Sequence, residues 1–447
     1  MMTDPTTAYT PPPDQNAIPV AMLKGKAPDD SILAQRWQAY HRDTKWGVGE
    51  WRRYCNGIWT PVEKDLIRQE IKIIVDRAKP EGVRATSGLL SSVMELARID
   101  ISIPAEKWDA DPDYLPCKNG VLHIPTKTLL PHTPDIYATT QLDFDYDPVA
   151  TCPNFLHALQ QIYDAAEFMQ EFSGYALTPD VKHEIAIWMQ GAPGCGKSTV
   201  IAGLQTMLGN SRAGLLGLAD IEQSRFALSN LPGKTLVFST EQPENFIVAS
   251  NRLNAIISGE PISVEQKFKD AITIIPRAKI VWAMNDLPRV SSVNNGIMRR
   301  VKVIKFPNLD ESKRDPELKD RIATEGAGIL NWALIGLERL RNRGKFLIPK
   351  SVSDATKDFQ EKNDIPLLFL NESNAKINLF DPQVRMPAQE LYDKYNDWCR
   401  RNGHKPMSST KVAEEWKRLG FERSRISGSS YWVGVEIPAP GFTGRVP

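Results

Sequence analysis

The chain has 447 residues, enough for two to four domains, with 41% hydrophobic and 24% charged residues, the balance of an ordinary globular protein. Its formal net charge is only +1, so any nucleic-acid site has to be a local basic surface inside a ring or groove. The five cysteines, Cys55, Cys117, Cys152, Cys195 and Cys399, form no Cys-x-x-Cys pair, which argues against a zinc site or disulfide framework and for a reducing cytoplasm. No apolar run approaches the ~18 residues of a membrane span, and the first residues lack the basic and apolar segments of a secretory signal.

Residues 1–27, rich in Pro, Thr and Asp, are expected to form a disordered arm. A globular pattern begins at Ser31. Asn56-Gly57 supplies hairpin turn chemistry between Tyr54 and Trp59, and Leu66, Ile67, Ile71, Ile74 and Val75 fall at helical spacing. A second β segment surrounds Asn119-Gly120. These elements predict a small α/β domain over 28–150, bounded by Pro148 and Pro153. From 151 to 350 apolar strands alternate with helices, including one over 329–340, the pattern of a mostly parallel sheet. A helical linker is expected over 351–380, with 371–382 reading as connecting chain, then a compact unit over 381–437 and a tail over 438–447. In that unit a helix over 387–401 ends at Gly403, a second runs over 411–419, and a hairpin over 421–435 turns at Ser427-Gly428. The carboxylates of Asp143-Phe144-Asp145-Tyr146-Asp147 alternate as on a strand edge, and we read them as a solvated β edge.

The strongest chemical signal is Gly191-Ala192-Pro193-Gly194-Cys195-Gly196-Lys197-Ser198-Thr199, which fits G-x-x-x-x-G-K-[ST]. An apolar run over 185–189 precedes it. Val200, Ile201, Leu204, Met207 and Leu208 follow on one helical face that ends at Gly209. Strand, glycine loop and helix thus come in the order that lets backbone N–H groups curl around phosphate oxygens at a helix N-terminus. Lys197 is placed to reach the β- and γ-phosphates of ATP, and the Ser198 hydroxyl to help hold Mg²⁺. A hydrolase also needs an acid near metal and water. The β run over 234–241 ends in Glu241, with Glu244 close by as an alternative. The apolar strand over 279–285 ends in Asn285, either a γ-phosphate or water ligand or an ordinary turn residue before Asp286 and Pro288. Arg299 and Arg300 precede the strand over 301–306, where paired arginines are either a surface patch or groups that stabilise transition-state charge in a neighbouring subunit.

In this order, GAPGCGKST (191–199), SRFALSNLPGKTLVFSTEQPE (224–244), SGEPISVEQKFKD (258–270), KIVWAMNDLP (279–288) and MRRVKVIKF (298–306) resemble superfamily 3 helicases, specifically the phage/plasmid primase-helicase family. The stretch over 118–155 resembles the poxvirus-type primase-helicase N-terminal domain, and ELYDKYNDWCRRNG (390–403) the winged-helix cap of the same family. The resemblance implies a P-loop, AAA+-like superfamily 3 core over 151–350 between a small N-terminal α/β domain and a C-terminal winged helix. It implies that Glu241 serves metal and water, that Asn285 senses the γ-phosphate, and that Arg300, with Arg299 second, is the arginine finger. It assigns Lys267 and Lys269 to a hairpin that grips DNA phosphates in a ring's pore. Many relatives carry two adjacent acids where this chain has Thr240-Glu241.

The expected protein is therefore an ATP-dependent DNA helicase of phage or plasmid replication. By resemblance it is a homo-hexamer that uses Mg²⁺ and moves 3′ to 5′ on single-stranded DNA at replication forks, in the cytoplasm of a bacterial host. Fewer than about 50 residues precede the hairpin at Trp51, too few for a primase core, so a separate primase or polymerase is the expected partner. The C-terminal unit is expected to contact duplex phosphates through Arg418, Arg423 and Arg425. The rival readings are an initiator that uses ATP to assemble and melt an origin without processive unwinding, and a small-molecule P-loop kinase.

Overall fold

The structure is a computed structural model that describes residues 27–224, 226–242, 247–248, 251–266, 269–290, 295–426 and 428–438. Nearly all of the expected arm and tail lies outside that set. Near the N-terminus, Asp29 caps the helix Asp30–Tyr40 by accepting from the Ile32 amide at 3.0 Å, and Thr86 caps Ser87–Asp100 in the same way at 3.1 Å. With the helix Lys64–Arg77 they pack on an antiparallel sheet of Thr44–Gly47, Glu50–Cys55 and Ile58–Val62, burying Trp37, Trp51, Ile67, Ile71 and Ile74. The turn expected at Asn56-Gly57 is present, with φ of 51° and 87° at its two residues, as a tight hairpin demands.

A second small sheet joins Tyr114–Cys117, Gly120–His123 and Thr128–Leu130. Its Leu115, Cys117 and Leu122 are buried with the helices of the next unit. The boundary expected at 150 therefore falls after a sheet that already shares the following core. The 143–147 run, expected as a β edge, is not a strand. Asp143 Oδ2 accepts from the Asn210 amide at 3.2 Å and Asp147 Oδ1 from the Val149 amide at 3.0 Å, so these carboxylates tie loops together.

The centre of the molecule is a five-stranded, wholly parallel sheet. In chain order its strands are β1 (Ala186–Gln190), β2 (Ala213–Leu215), β3 (Leu236–Ser239), β4 (Lys279–Met284) and β5 (Val301–Lys305); in space they run β5-β1-β4-β3-β2. All six residues of β4 are buried, and neighbours along each strand alternate between two cores. Ile187, Met189, Val281 and Ile304 face one side, and Trp188, Trp282 and Val303 face the other. Burial of both faces is why these strands read as unbroken apolar runs. Trp188 and Trp282 stack at 6.0 Å, and Phe359 meets Trp188 edge-on at 5.2 Å. Phe359 belongs to the helix Lys350–Asn363, whose Thr356 hydroxyl accepts from the Val303 amide at 3.0 Å. Half of the expected linker is thus a structural layer on the sheet.

On the opposite face, helix Ala166–Ala176 lies against helix Gly326–Arg343. The approach is close because each carries a glycine at the crossing: a Cβ on Gly174 would stand 2.4 Å from the Ala333 carbonyl oxygen, and one on Gly336 would stand 2.2 Å from that of Gln170. Glu171, fully buried at the same crossing, accepts from Arg339 Nε at 3.1 Å and from Arg343. In the C-terminal unit, helices Ala388–Arg401 and Ser409–Arg418 pack with an antiparallel sheet of Arg385–Pro387, Ser429–Val433 and Glu422–Ile426 around Tyr395, Trp416 and Trp432. Lys376–Ile377, expected as connecting chain, pairs antiparallel with Val435–Glu436 and stitches the start of this unit to its end. No helix among the described residues is long and apolar enough to cross a membrane.

In an ordinary helix interior Gly→Ala stabilises by about 0.5–1 kcal/mol. At Gly336 the sign should reverse, because the added methyl meets backbone that cannot yield. Gly336→Ala is expected to lower unfolding stability by about 1–3 kcal/mol in a denaturant titration.

Candidate functional site

In parallel α/β sheets, ligands bind beyond the carboxyl ends of the strands. Here that edge carries the glycine loop of residues 191–196. Its root is pinned on both sides: the Gly191 amide donates to the Met284 carbonyl at the end of β4 at 3.3 Å, and the Phe306 amide beyond β5 donates to the Gln190 carbonyl at 2.7 Å. Gly194 (φ 79°) and Gly196 (φ 90°) take left-handed conformations that a side chain would strain. Gly196 is also the N-cap of the helix Lys197–Arg212, and the Thr199 amide donates back to it at 3.0 Å. As expected, helical geometry breaks at Gly209 (φ 68°), where a Cβ would strike Asp143.

Lys197 is buried and folds back into its own loop. Its ammonium donates to the Gly191 carbonyl at 2.5 Å and the Ala192 carbonyl at 2.9 Å, and it lies 3.5 Å from both Cys195 Sγ and Asn285 Oδ1. Asn285 is exposed in the bend just past β4. Two residues 88 positions apart are thereby brought to one point, because β4 lies directly beside β1. Glu241 is exposed two residues beyond β3, which lies on the far side of β4 from β1. It shares the carboxyl edge with Asn285, but its side chain makes no hydrogen bond to Lys197 or Ser198. Glu244 lies outside the described residues.

Arg299 and Arg300 end a short helix, Asn295–Arg300, and directly precede β5, as the sequence placed them. Arg300, with 10% of its side chain exposed, is bound to Glu184 through Nε at 2.8 Å and Nη2 at 2.6 Å, and Nη1 donates to the Gly296 carbonyl at 3.2 Å. Arg299 is exposed. Lys267 lies outside the described residues, and Lys269 opens the second strand of an antiparallel hairpin, Ile262–Gln266 with Lys269–Ile274. In the C-terminal unit Arg418 is ion-paired with Asp364 and with Glu415 at 2.5 Å, so it ties that unit to the preceding helix. Arg423 donates to Ser430 Oγ at 2.8 Å, while Arg425 is exposed.

Residues 31–164 match the "D5 N terminal like" family, and residues 189–300 match a family of unknown function, DUF5906. The chain is 24% identical over 343 residues to "Putative helicase 121R" of Invertebrate iridescent virus 3, and 24% identical over 355 residues to "Putative helicase 184R" of Invertebrate iridescent virus 6. These alignments cover 65% and 69% of this chain but only 35% and 36% of the viral proteins, so the chain spans about a third of the length of the curated relatives it matches. Among solved structures, the apo A form of the NrS-1 C-terminal region superposes with a TM-score of 0.51 at 14% identity, covering 92% of this chain and 100% of that one. The chain is thus similar in sequence to viral proteins named as helicases and in fold to the NrS-1 C-terminal region.

The "D5 N terminal like" match runs past residue 150 to 164, in keeping with the core that the 114–130 sheet shares with the central unit. The second match ends at Arg300. Beyond it, two cations that the sequence did not single out reach the loop. Lys319 Nζ donates to Ser198 Oγ at 3.0 Å. Arg314 covers Gly194, where a Cβ would meet its Nη2 at 2.7 Å. Both sit in a mixed-charge run, 311–321, with no spacing to distinguish them from solvated surface; only the fold brings them to the loop.

The Arg300–Glu184 pair should behave as one structural unit. Removing either partner is expected to destabilise the fold, and a double-mutant cycle of Arg300→Ala and Glu184→Ala should give a coupling of about 1–3 kcal/mol by thermal unfolding. Additive losses would remove that assignment.

Proposed function

We propose that the chain is an ATP-dependent DNA helicase with an AAA+-like superfamily 3 core, acting in phage or plasmid replication. The observation that carries this reading is the meeting of Lys197 and Asn285 at the mouth of a glycine loop, on the carboxyl edge of a parallel sheet. A small-molecule kinase would need no unit like the C-terminal one, and the helicase names of the viral relatives support the DNA reading.

The residues divide the work as follows. Loop amides and the N-terminus of the Lys197–Arg212 helix hold phosphate oxygens. Lys197 exchanges the Gly191 and Ala192 carbonyls for the β- and γ-phosphates, a short movement since its ammonium already lies in the loop. Asn285, beside it, fixes the γ-phosphate or the attacking water. Glu241 orients that water and takes its proton. The Ser198 hydroxyl and the Glu241 carboxylate are hard oxygen donors of the kind Mg²⁺ takes alongside phosphate and water. Held by Ser198 and Glu241, Mg²⁺ would supply positive charge to offset that of the nucleotide phosphates.

For the residue that reaches into a neighbour's site we assign Arg299 in place of Arg300. A finger has to leave its own subunit, and Arg300 is held inside by Glu184 whereas Arg299 is exposed. The hairpin carrying Lys267 and Lys269 grips the DNA backbone in the pore. A winged-helix-like C-terminal unit meets the fork through Arg423 and Arg425, with Arg418 as its anchor. By family resemblance the assembly is a homo-hexamer moving 3′ to 5′ on single-stranded DNA.

ATP hydrolysis should be stimulated by single-stranded DNA and coupled to unwinding of a long duplex. Lys197→Ala should abolish turnover, and Glu241→Gln should keep nucleotide binding while stopping hydrolysis. ATP-driven oligomerisation with no unwinding under any loading condition would instead indicate an origin-melting initiator.

The finger assignment has its own test. Arg299→Ala should fold with wild-type stability, bind ATP and hydrolyse it poorly. Mixed with Lys197→Ala protein it should regain part of its activity, because some interfaces then combine an intact Lys197 with an intact Arg299. Mixed rings that form and stay inactive would refute an arginine acting across subunits.

A further inference from the structure

We propose that Arg314 and Lys319 are phosphate-binding residues of the same subunit's nucleotide site. The proposal rests on the ATP-site reading above and extends it to a segment outside both family matches. Three observations carry it. Lys319 Nζ stands 3.0 Å from the hydroxyl of Ser198, the loop residue read as a metal ligand. The Arg314 guanidinium lies over Gly194, with Nη2, Cζ and Nε all within 3.1 Å of where a Cβ on that glycine would be. The acids around them are engaged elsewhere or weakly held. Arg321 takes Asp315 and, at 3.8 Å, Glu317, while Arg314 pairs with Glu311 at 3.2 Å, with side chains 46% and 84% exposed. An exposed pair of this kind contributes little, so Arg314 is free to change partner.

The geometry gives each cation a reason to move onto phosphate. An ammonium beside the Ser198 hydroxyl stands at the loop that would hold the polyphosphate, within reach of its anionic oxygens, and a hydrogen bond to such an oxygen is stronger than one to a neutral hydroxyl. The glycine at 194 leaves no side chain between the Arg314 fork and the loop backbone, and a guanidinium spans two phosphate oxygens where an ammonium contacts one. Both residues belong to the run that follows β5, so they act on the nucleotide of their own chain. Arg299 acts on the neighbour's.

The test is equilibrium titration of the full chain with fluorescent ADP and with a non-hydrolysable ATP analogue, each with Mg²⁺. Arg314→Ala and Lys319→Ala are each expected to weaken both nucleotides by about tenfold or more, the loss of a charge-assisted contact. Lys319→Arg should keep affinity within about threefold, and Arg314→Lys should fall between wild type and Arg314→Ala. Both residues lie at the surface and the Arg314–Glu311 ion pair is weak, so thermal unfolding should be unchanged in all four variants. Affinities at wild-type level in both alanine variants would overturn the proposal, provided Lys197→Ala loses binding in the same assay. If Lys197→Ala also binds normally, it is the nucleotide-site reading itself that fails.

Discussion

Everything at the candidate site depends on β1 being held between β4 and β5 in parallel register. Gln190 pairs with Met284 on one side and Lys305 on the other, so all three strands end level. That alignment fixes the loop at both margins and delivers Asn285 to Lys197 without a dedicated contact elsewhere. It is built from apolar side chains facing two cores, and close packing leaves each strand little freedom to slide. Lys279, fully buried at the foot of β4, donates to the Thr178 and Arg277 carbonyls and lies 4.5 Å from the Tyr175 ring centroid; burial pushes its ammonium well below the usual lysine range. The chain thus accepts an awkward group at one end of the strand that positions the site at the other.

Much of this was legible in the sequence wherever short-range chemistry decides. The Asn56-Gly57 turn, the glycine loop between strand and helix, the break at Gly209 and the apolar runs of β1 and β4 each follow from a few adjacent residues. For Asn285 the sequence left two readings open, a phosphate or water ligand and a turn residue before Asp286 and Pro288, and the fold puts its Oδ1 3.5 Å from the Lys197 ammonium. What was illegible depends on partners far along the chain. Arg300 was the first choice for the arginine finger, ahead of Arg299, and its ion pair with Glu184, 116 positions away, could not be read from the sequence. The helix over 350–363 looked like a connector because its apolar residues are few; Phe359 and Thr356 are enough to make it a layer. Arg314 and Lys319 sit among charges of both signs, and no periodicity separates a solvated cation from one that faces a loop.

Glu241 illustrates a middle case. The sequence read the strand as running on to Glu241, whereas β3 ends at Ser239 and leaves Glu241 exposed two residues beyond it, on the same edge of the sheet as Asn285.

Arg299 and Arg300 are successive residues on one short helix, one turned outward and the other locked to Glu184. Glu184 holds a left-handed backbone (φ 45°) and stands two residues before β1. The outward residue is therefore one peptide bond from a side chain anchored at the foot of the strand that carries the glycine loop, so a displacement at the surface of that helix would be felt at the root of the loop.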